Sequence, residues 1–217
     1  MKTKAKFITF EGGEGAGKTT QIQILEKLLK SHGLPVITTR EPGGTIGAEC
    51  LRSLLKEQPD AHFDAYSQTL ILYAARRDLV EKIIKPALAK NVWVLCDRFA
   101  DSTFVYQGFA QGLPIASIEK IHNLVLGSFT PDLTFFFDIP PEAGIKRTKE
   151  RTESLDLFTY DNFDFKDLDF HEKIYEGFQI LAAGSKRILP INALLPTEQV
   201  TDQLLDALNA RFQIGLE

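Results

Sequence analysis

Sulfur is scarce in this chain, which has two cysteines and one methionine in 217 residues. Cys50 and Cys96 stand apart, without the paired spacing of a structural zinc site, so a metal-stapled or disulfide-dense scaffold is excluded. Cys96 ends an apolar run and reads as a buried, inert thiol. Long hydrophobic runs are missing as well. Nothing approaches the roughly 20 apolar residues that span a bilayer. After the basic stretch from Met1 to Lys6, only Phe7 to Phe10 precede the next charge, too few for a secretory leader. The expectation is a protein of the reducing cytoplasm with no membrane partner. Positive charge is not in excess either. A net charge of −4 and a pI near 5.7 argue against nucleic-acid binding through a general basic field. Local basic clusters could still grip a small polyanion. Repeats, low-complexity linkers and composition breaks are absent too, so residues 1–217 are expected to form one domain.

What is present is an alternation of short β-rich runs with helical stretches. Lys6–Phe10, Val36–Thr39, Val92–Cys96, Leu133–Asp138 and Arg187–Ile191 are near-continuously apolar, as in parallel strands covered on both faces. Between them, Ile22, Leu25, Leu28 and Leu29 form a helical stripe that stops at Gly33, a C-terminal cap. A longer helical pattern runs from about Tyr66 to Ala89, with Pro86 near its end. The predicted fold is α/β, a five-stranded parallel sheet with helices on both faces. Residues 146–170 begin basic and turn rich in Asp and Phe, which reads as a flap or lid rather than a second domain.

One segment carries most of the functional information. Gly12-Gly13-Glu14-Gly15-Ala16-Gly17-Lys18-Thr19 fits G-x-x-x-x-G-K-[ST] without mismatch, after a predicted strand and at the start of a predicted helix. Glycines let the backbone wrap a phosphate and turn successive N–H groups inward, and the helix adds its positive N-terminal end. Lys18 brings a full charge to the β/γ oxygens of ATP, and the Thr19 hydroxyl is placed to ligate Mg²⁺. Glu14 is out of character, because a carboxylate beside phosphates costs Coulomb energy. It is expected to point away from them, toward a substrate hydroxyl.

Other clusters fall where strands end, which is where open α/β sheets bind ligands. Asp97-Arg98 follows the strand Val92–Cys96, the Asp suited to Mg²⁺ and the Arg to a phosphate. Arg40-Glu41-Pro42-Gly43-Gly44-Thr45 follows the second strand as a fixed turn, with Thr45 as a helix cap. Arg76 and Arg77 sit among apolar residues of the long helix, and a charge on an inward face needs a partner such as an acceptor phosphate. Spacing alone does not choose between them. Lys146, Arg147, Lys149 and Arg151 crowd one helix end, where a basic flap could close over ATP. These features predict a P-loop phosphotransferase. A GTPase switch is disfavoured, since neither N-K-x-D nor an Asp three residues before a Gly occurs.

Four blocks together resemble the bacterial thymidylate kinases over nearly the whole chain. They are Phe10 to Thr20, Thr39 to Thr45, Ala74-Ala75-Arg76, and Asp97-Arg98-Phe99 with Asp101 to Gly108. The resemblance implies a P-loop NTPase-type fold and the reaction ATP + dTMP → ADP + dTDP with Mg²⁺, in a homodimer built through helices. It implies that Glu14 meets the sugar 3′-hydroxyl and that Arg76 and Arg98 handle the acceptor monophosphate. Ser102, Tyr106 and Gln107 would line the nucleotide pocket, with Tyr106 crowding a ribose 2′-hydroxyl, and Glu41 and Pro42 join the acceptor side. A Gly15-Ala16-Gly17 loop without arginine implies a lid cation, Arg147 or Arg151. Two positions depart from the family pattern. Leu72, with Tyr73 beside it, stands where an aromatic usually stacks on thymine, forgoing roughly 0.5–1.5 kcal/mol of ring–ring attraction. The family's Asp-Arg-x-Glu block most nearly matches Asp161-Asn162-Phe163-Asp164. Other nucleoside monophosphates or deoxynucleosides are the alternative acceptors.

Overall fold

The structure, a computed structural model, describes residues 4–56, 63–155 and 168–216. Its five strands are β1 (Phe7–Glu11), β2 (Val36–Arg40), β3 (Trp93–Asp97), β4 (Leu133–Asp138) and β5 (Ile188–Asn192). They form one sheet in the order β2-β3-β1-β4-β5, parallel at every pairing. The P-loop NTPase-type α/β architecture expected from the sequence is the one observed.

Alternation along the central strands explains the two covered faces. Ile8, Phe10 and Leu95 point to a core that contains Leu25 and Leu29 of α1 (Lys18–Ser31) and Leu204 and Leu208 of α9 (Thr197–Phe212). Phe7, Val94 and Cys96 point the other way, to Tyr73 and Leu79 of α3 (Ala65–Leu79) and Ile118 of α6 (Ile115–Leu126). Each fully buried Leu or Phe contributes roughly 1.5–3 kcal/mol, so these two layers dominate the stability of the sheet. A third cluster, around Phe136, Phe170, Ile174 and Phe178, seats α8 (Leu168–Gly184) beside β4.

Several strands run one residue past the apolar runs that predicted them, and the extra residues are Glu11, Arg40, Asp97 and Asn192. Phe10 still pairs with Asp97, and Asp138 with Asn192. The ladder outlasts the hydrophobic signal because polar side chains take over at the carboxyl edge.

The α1 stripe ends as expected. Gly33 sits at φ 74°, in the left-handed region that glycine tolerates, with Gly33 N donating to Lys30 O and Leu34 N to Leu29 O. The predicted 66–89 helix is continuous over Ala65–Ala89, with a π segment Val80–Ile84 between α3 and α4 (Lys85–Ala89). That widened turn lets Leu79, Val80 and Ile84 all face the core. Thr45 caps α2 (Ile46–Lys56) by accepting from Ala48 N at 3.0 Å. Cys96 is buried, donates to Arg98 O, and has its thiol pushed up by burial, whereas Cys50 is exposed. Among the described residues no helix is long and apolar enough to cross a membrane.

Candidate active site

The carboxyl edge of β1, β2 and β3 opens into a cleft of about 1460 Å³. That exceeds the roughly 300–1,000 Å³ of an ordinary small-molecule pocket. It extends from the Glu14–Thr20 loop past Asp97, Arg98 and Arg76 to Gln68, Leu72 and Gln107.

At the donor end, Gly17 at φ 88° is the N-cap residue of α1. The α1 N–H groups therefore face the loop. Lys18 is 8% exposed, and its Nζ donates to Gly12 O at 3.0 Å and Gly13 O at 2.8 Å. Burial and Arg98 pull its pKa down, while Asp97, Glu14 and Glu11 pull back. Thr19 Oγ1 donates to Asp97 Oδ2 at 3.3 Å, and Asp97 Oδ1 is buried without a partner. Two adjacent hard oxygens, one of them unsatisfied, fit a Mg²⁺ ligand set.

The loop tip is fitted closely to α7 (Pro141–Leu155), glycine facing backbone on both sides. A Cβ at Gly15 would lie 2.1 Å from Gly144 O, and one at Gly144 would lie 2.4 Å from Glu14 O. From α7, Arg147 donates to Ala193 O at 2.7 Å and Leu194 O at 3.4 Å, lining the cleft beside Pro196 and Thr197. The side chain of Arg151 and the block from Asp161 to Asp164 lie outside the described residues, as does much of the 146–170 segment.

Arg98 stands at the centre. It follows β3 in a left-handed conformation, φ 66°, uncommon for a residue with a side chain. Its guanidinium donates to Glu14 Oε1 at 2.7 Å, Gly12 O at 3.1 Å and Ser102 Oγ at 3.3 Å. It also lies 5.1 Å from the Tyr106 ring centroid. Burial works against its charge, but Tyr106, Glu14, Asp97 and Glu11 outweigh that and keep it cationic. Burial would raise Glu14, yet Arg98 and Lys18 prevail and hold it below the usual carboxylate range. The awkward loop carboxylate is thus neutralised by the arginine beside it.

Behind Arg98 is a residue that sequence reasoning passed over as chemistry. Glu11 is fully buried, accepting from Phe99 N at 2.7 Å and from Ser102 Oγ at 2.6 Å. Burial and Asp101 push it up to about 7, against Arg98 and its two donors. It fastens the turn that carries Arg98. An acidic residue ending an otherwise apolar strand was the available signal.

The long helix resolves the choice between adjacent arginines. Arg77 is exposed, bound to Glu81 Oε1 and Val125 O. Arg76 is 2% exposed, and its Nε donates to Glu41 Oε2 at 2.7 Å. Its Nη2 reaches Phe99 O and Thr103 Oγ1, both at 3.1 Å. Arg76 Nη1 and Glu41 Oε1 remain buried and unpartnered. Burial pushes Glu41 up to about 7 despite Arg76. A grip of Arg76 on the acceptor would fall to Nη1 alone, since Nε and Nη2 are engaged by Glu41, Phe99 and Thr103. Tyr73 is a correction. Tyr73 is 1% exposed, its ring lies 4.5 Å from the Arg76 guanidinium and its hydroxyl shares a hydrogen bond with His122 Nδ1, so it supports Arg76 from behind rather than lining the cleft. Leu72 does line it, with Pro42, Ser102, Tyr106 and Gln107.

The buried pair makes a stability prediction. Arg76→Met leaves Glu41 buried alone and costs about 3–5 kcal/mol. The sign with pH follows from the raised carboxyl. Glu41 keeps its proton in the folded state between its ordinary 4.5 and about 7, whereas the unfolded chain releases it. Stability is therefore lost as pH rises through that window. Removing the cation raises Glu41 further, so denaturant unfolding shows a larger deficit at pH 8 than at pH 6. An equal deficit at both would contradict the buried-charge account.

Comparison with known proteins bears directly on this geometry. The family model described as Thymidylate kinase matches residues 10–204, from the end of β1 into α9. The chain belongs to the thymidylate kinase family. A thymidylate kinase of Afipia carboxidovorans is 40% identical over 214 residues, covering 98% of this chain and 92% of that protein. One from Caulobacter vibrioides is 41% identical over 211 residues, covering 97% and 99%. One from Geobacillus thermodenitrificans is 40% identical over 209 residues, covering 95% and 91%. The family match includes the phosphate loop, the Asp97-Arg98 turn and the α3 wall together.

Proposed function

We propose that this chain transfers the γ-phosphoryl group of ATP to dTMP, forming ADP and dTDP for dTTP supply, with Mg²⁺ in the donor site. The observation that carries the reading is one cleft with Lys18 and the α1 amides at one end and a base-sized wall at the other, Arg98 between them. The phosphate loop from Gly12 to Thr19 holds the β and γ phosphates, with Lys18 neutralising their charge. Thr19 and Asp97 would hold Mg²⁺, which when bound offsets charge on the bridging phosphate oxygens. Arg98 positions the dTMP phosphate in line with the γ-phosphate, and Glu14 accepts from the sugar 3′-hydroxyl. The acceptor oxygen is already anionic, so proximity and charge neutralisation replace a general base. The further cation is drawn from Arg147 and Arg151 on α7. To take that part, Arg147 leaves the Ala193 and Leu194 carbonyls. Tyr106, at the pocket wall, crowds a ribose 2′-hydroxyl.

At the base end, Arg76 Nη1 is a lone donor and Gln107 Oε1 a lone acceptor. We assign this pair to the O4 and N3–H of thymine, with Leu72 and Pro42 also lining the cleft. Exposed Leu70 on α3 and Leu124 on α6, two helices joined by a Tyr66–Ser117 hydrogen bond, support a homodimer through helices. The net charge of −4 fits a cytoplasmic enzyme without a nucleic-acid partner. A coupled ADP-release assay over dTMP, dUMP, ribo-TMP, thymidine, dCMP and AMP tests the reading. The highest kcat/KM is expected for dTMP. A clear preference for dCMP or AMP, or ATP consumption without an acceptor, overturns it.

A further inference from the structure

Three glutamines meet in the cleft wall where α3 passes the π segment Phe104–Ala110. Their hydrogen bonds form a chain with only one consistent orientation. Gln68 Nε2 donates to Phe63 O at 2.8 Å. A backbone carbonyl only accepts, so this contact fixes which way the Gln68 amide faces. Gln68 Oε1 is turned toward its neighbours, and accepts from Gln107 Nε2 at 3.2 Å and Gln111 Nε2 at 3.0 Å. Gln107 must present its NH₂ side to that oxygen, since the reverse flip would set two carbonyls against each other. Its own Oε1 is left buried and unpartnered, in a side chain 3% exposed. An amide oxygen buried in this way is destabilising until a donor arrives.

We propose that Gln68 is the specificity-determining residue of the base site, acting as a positioning residue that locks Gln107 with its acceptor toward the substrate. A base with a ring N–H, such as thymine, supplies the missing donor. Cytosine offers a bare N3 lone pair to an oxygen and an amino group to Arg76, so both contacts become repulsive. Specificity at Gln107 is thus written one turn before Leu72, in a side chain that need not touch the base. The inference rests on dTMP being the acceptor and adds to it the reason cytosine is refused.

The test compares kcat/KM for dTMP and dCMP in the full-length enzyme. Gln68→Met matches the volume but offers no oxygen, which frees the Gln107 amide to flip. The dTMP:dCMP ratio is expected to fall by about 10- to 100-fold. The change should lie in the KM values, because Gln107 meets the base and not the reacting atoms. Gln68→Glu keeps an acceptor toward Gln107 and should hold the ratio within about threefold of the parent. Gln68→Lys reverses the polarity, drawing the Gln107 oxygen inward, and decides the matter if the Met variant does not fold. Equal losses on both acceptors, or an unchanged ratio in the Met or Lys variant, overturn the proposal. Absence of dTMP phosphorylation by the parent enzyme would instead sink the reading on which it rests.

Discussion

Lys18→Ala is expected to lower kcat for dTMP phosphorylation by about 10³-fold while the protein still folds. The lysine is nearly enclosed, and its ammonium is held by the Gly12 and Gly13 carbonyls at the loop mouth. It is therefore fixed before ATP arrives, and little reorganisation is needed when charge shifts onto the bridging oxygens. Preorganised charge of this kind contributes about 3–4 kcal/mol to a transition state. The structural price is smaller, roughly 1 kcal/mol, because Gly12 O keeps its bond from Arg98 at 3.1 Å and Gly13 O is only partly buried. Steady-state kinetics beside thermal unfolding separates the two. Near-normal turnover in a folded variant would refute the assignment of Lys18.

Arg98→Ala should be worse, with kcat/KM falling by about 10⁴-fold. Two losses combine. The cation between donor and acceptor phosphates disappears, and Glu14 is unmasked. With Arg98 present, the Glu14 carboxylate is paired at 2.7 Å and held well ionised. Without it, the same negative charge faces two polyanions. Two unit charges about 4 Å apart repel by roughly 4 kcal/mol at an intermediate dielectric. A second substitution therefore partly repairs the first, and Glu14→Gln in the Arg98→Ala background should recover about tenfold of the lost kcat/KM. If the double variant is no better than the single one, Glu14 is not the liability that Arg98 neutralises. The left-handed backbone at position 98 adds nothing to this difference, since alanine meets the same strain there as arginine.

Much of this was legible in the residues. The phosphate loop announces itself because a wrapped phosphate demands glycines, a lysine and a hydroxyl at fixed offsets. The parallel sheet is visible because strands covered on both faces must be apolar throughout. Legibility fails where one side chain's role depends on a partner far along the chain. Arg76 and Arg77 share an apolar setting in the sequence, and only the fold brings Glu41, 35 residues away, against one of them. Tyr73 looked like a neighbour of the base site, but the helix rotates it to the far side of Arg76. Glu11 read as the first polar residue after a strand, and its grip on Phe99 and Ser102 spans 88 and 91 residues. The glutamine chain was only half visible, since Gln107 falls within the Asp101–Gly108 block but Gln68 carries no motif and acquires meaning only through its partner.

A Cβ at Gly15 would meet the Gly144 backbone, and one at Gly144 would meet the Glu14 backbone. The phosphate loop and the root of α7 are consequently in close backbone proximity, with no room for a side chain at either glycine. A nucleotide that stiffens the loop also steadies the base of the overlying helix, and a tilt of that helix is felt by the amides beneath it. A methyl group gained at either would wedge both apart, so neither can change unless the other backbone withdraws.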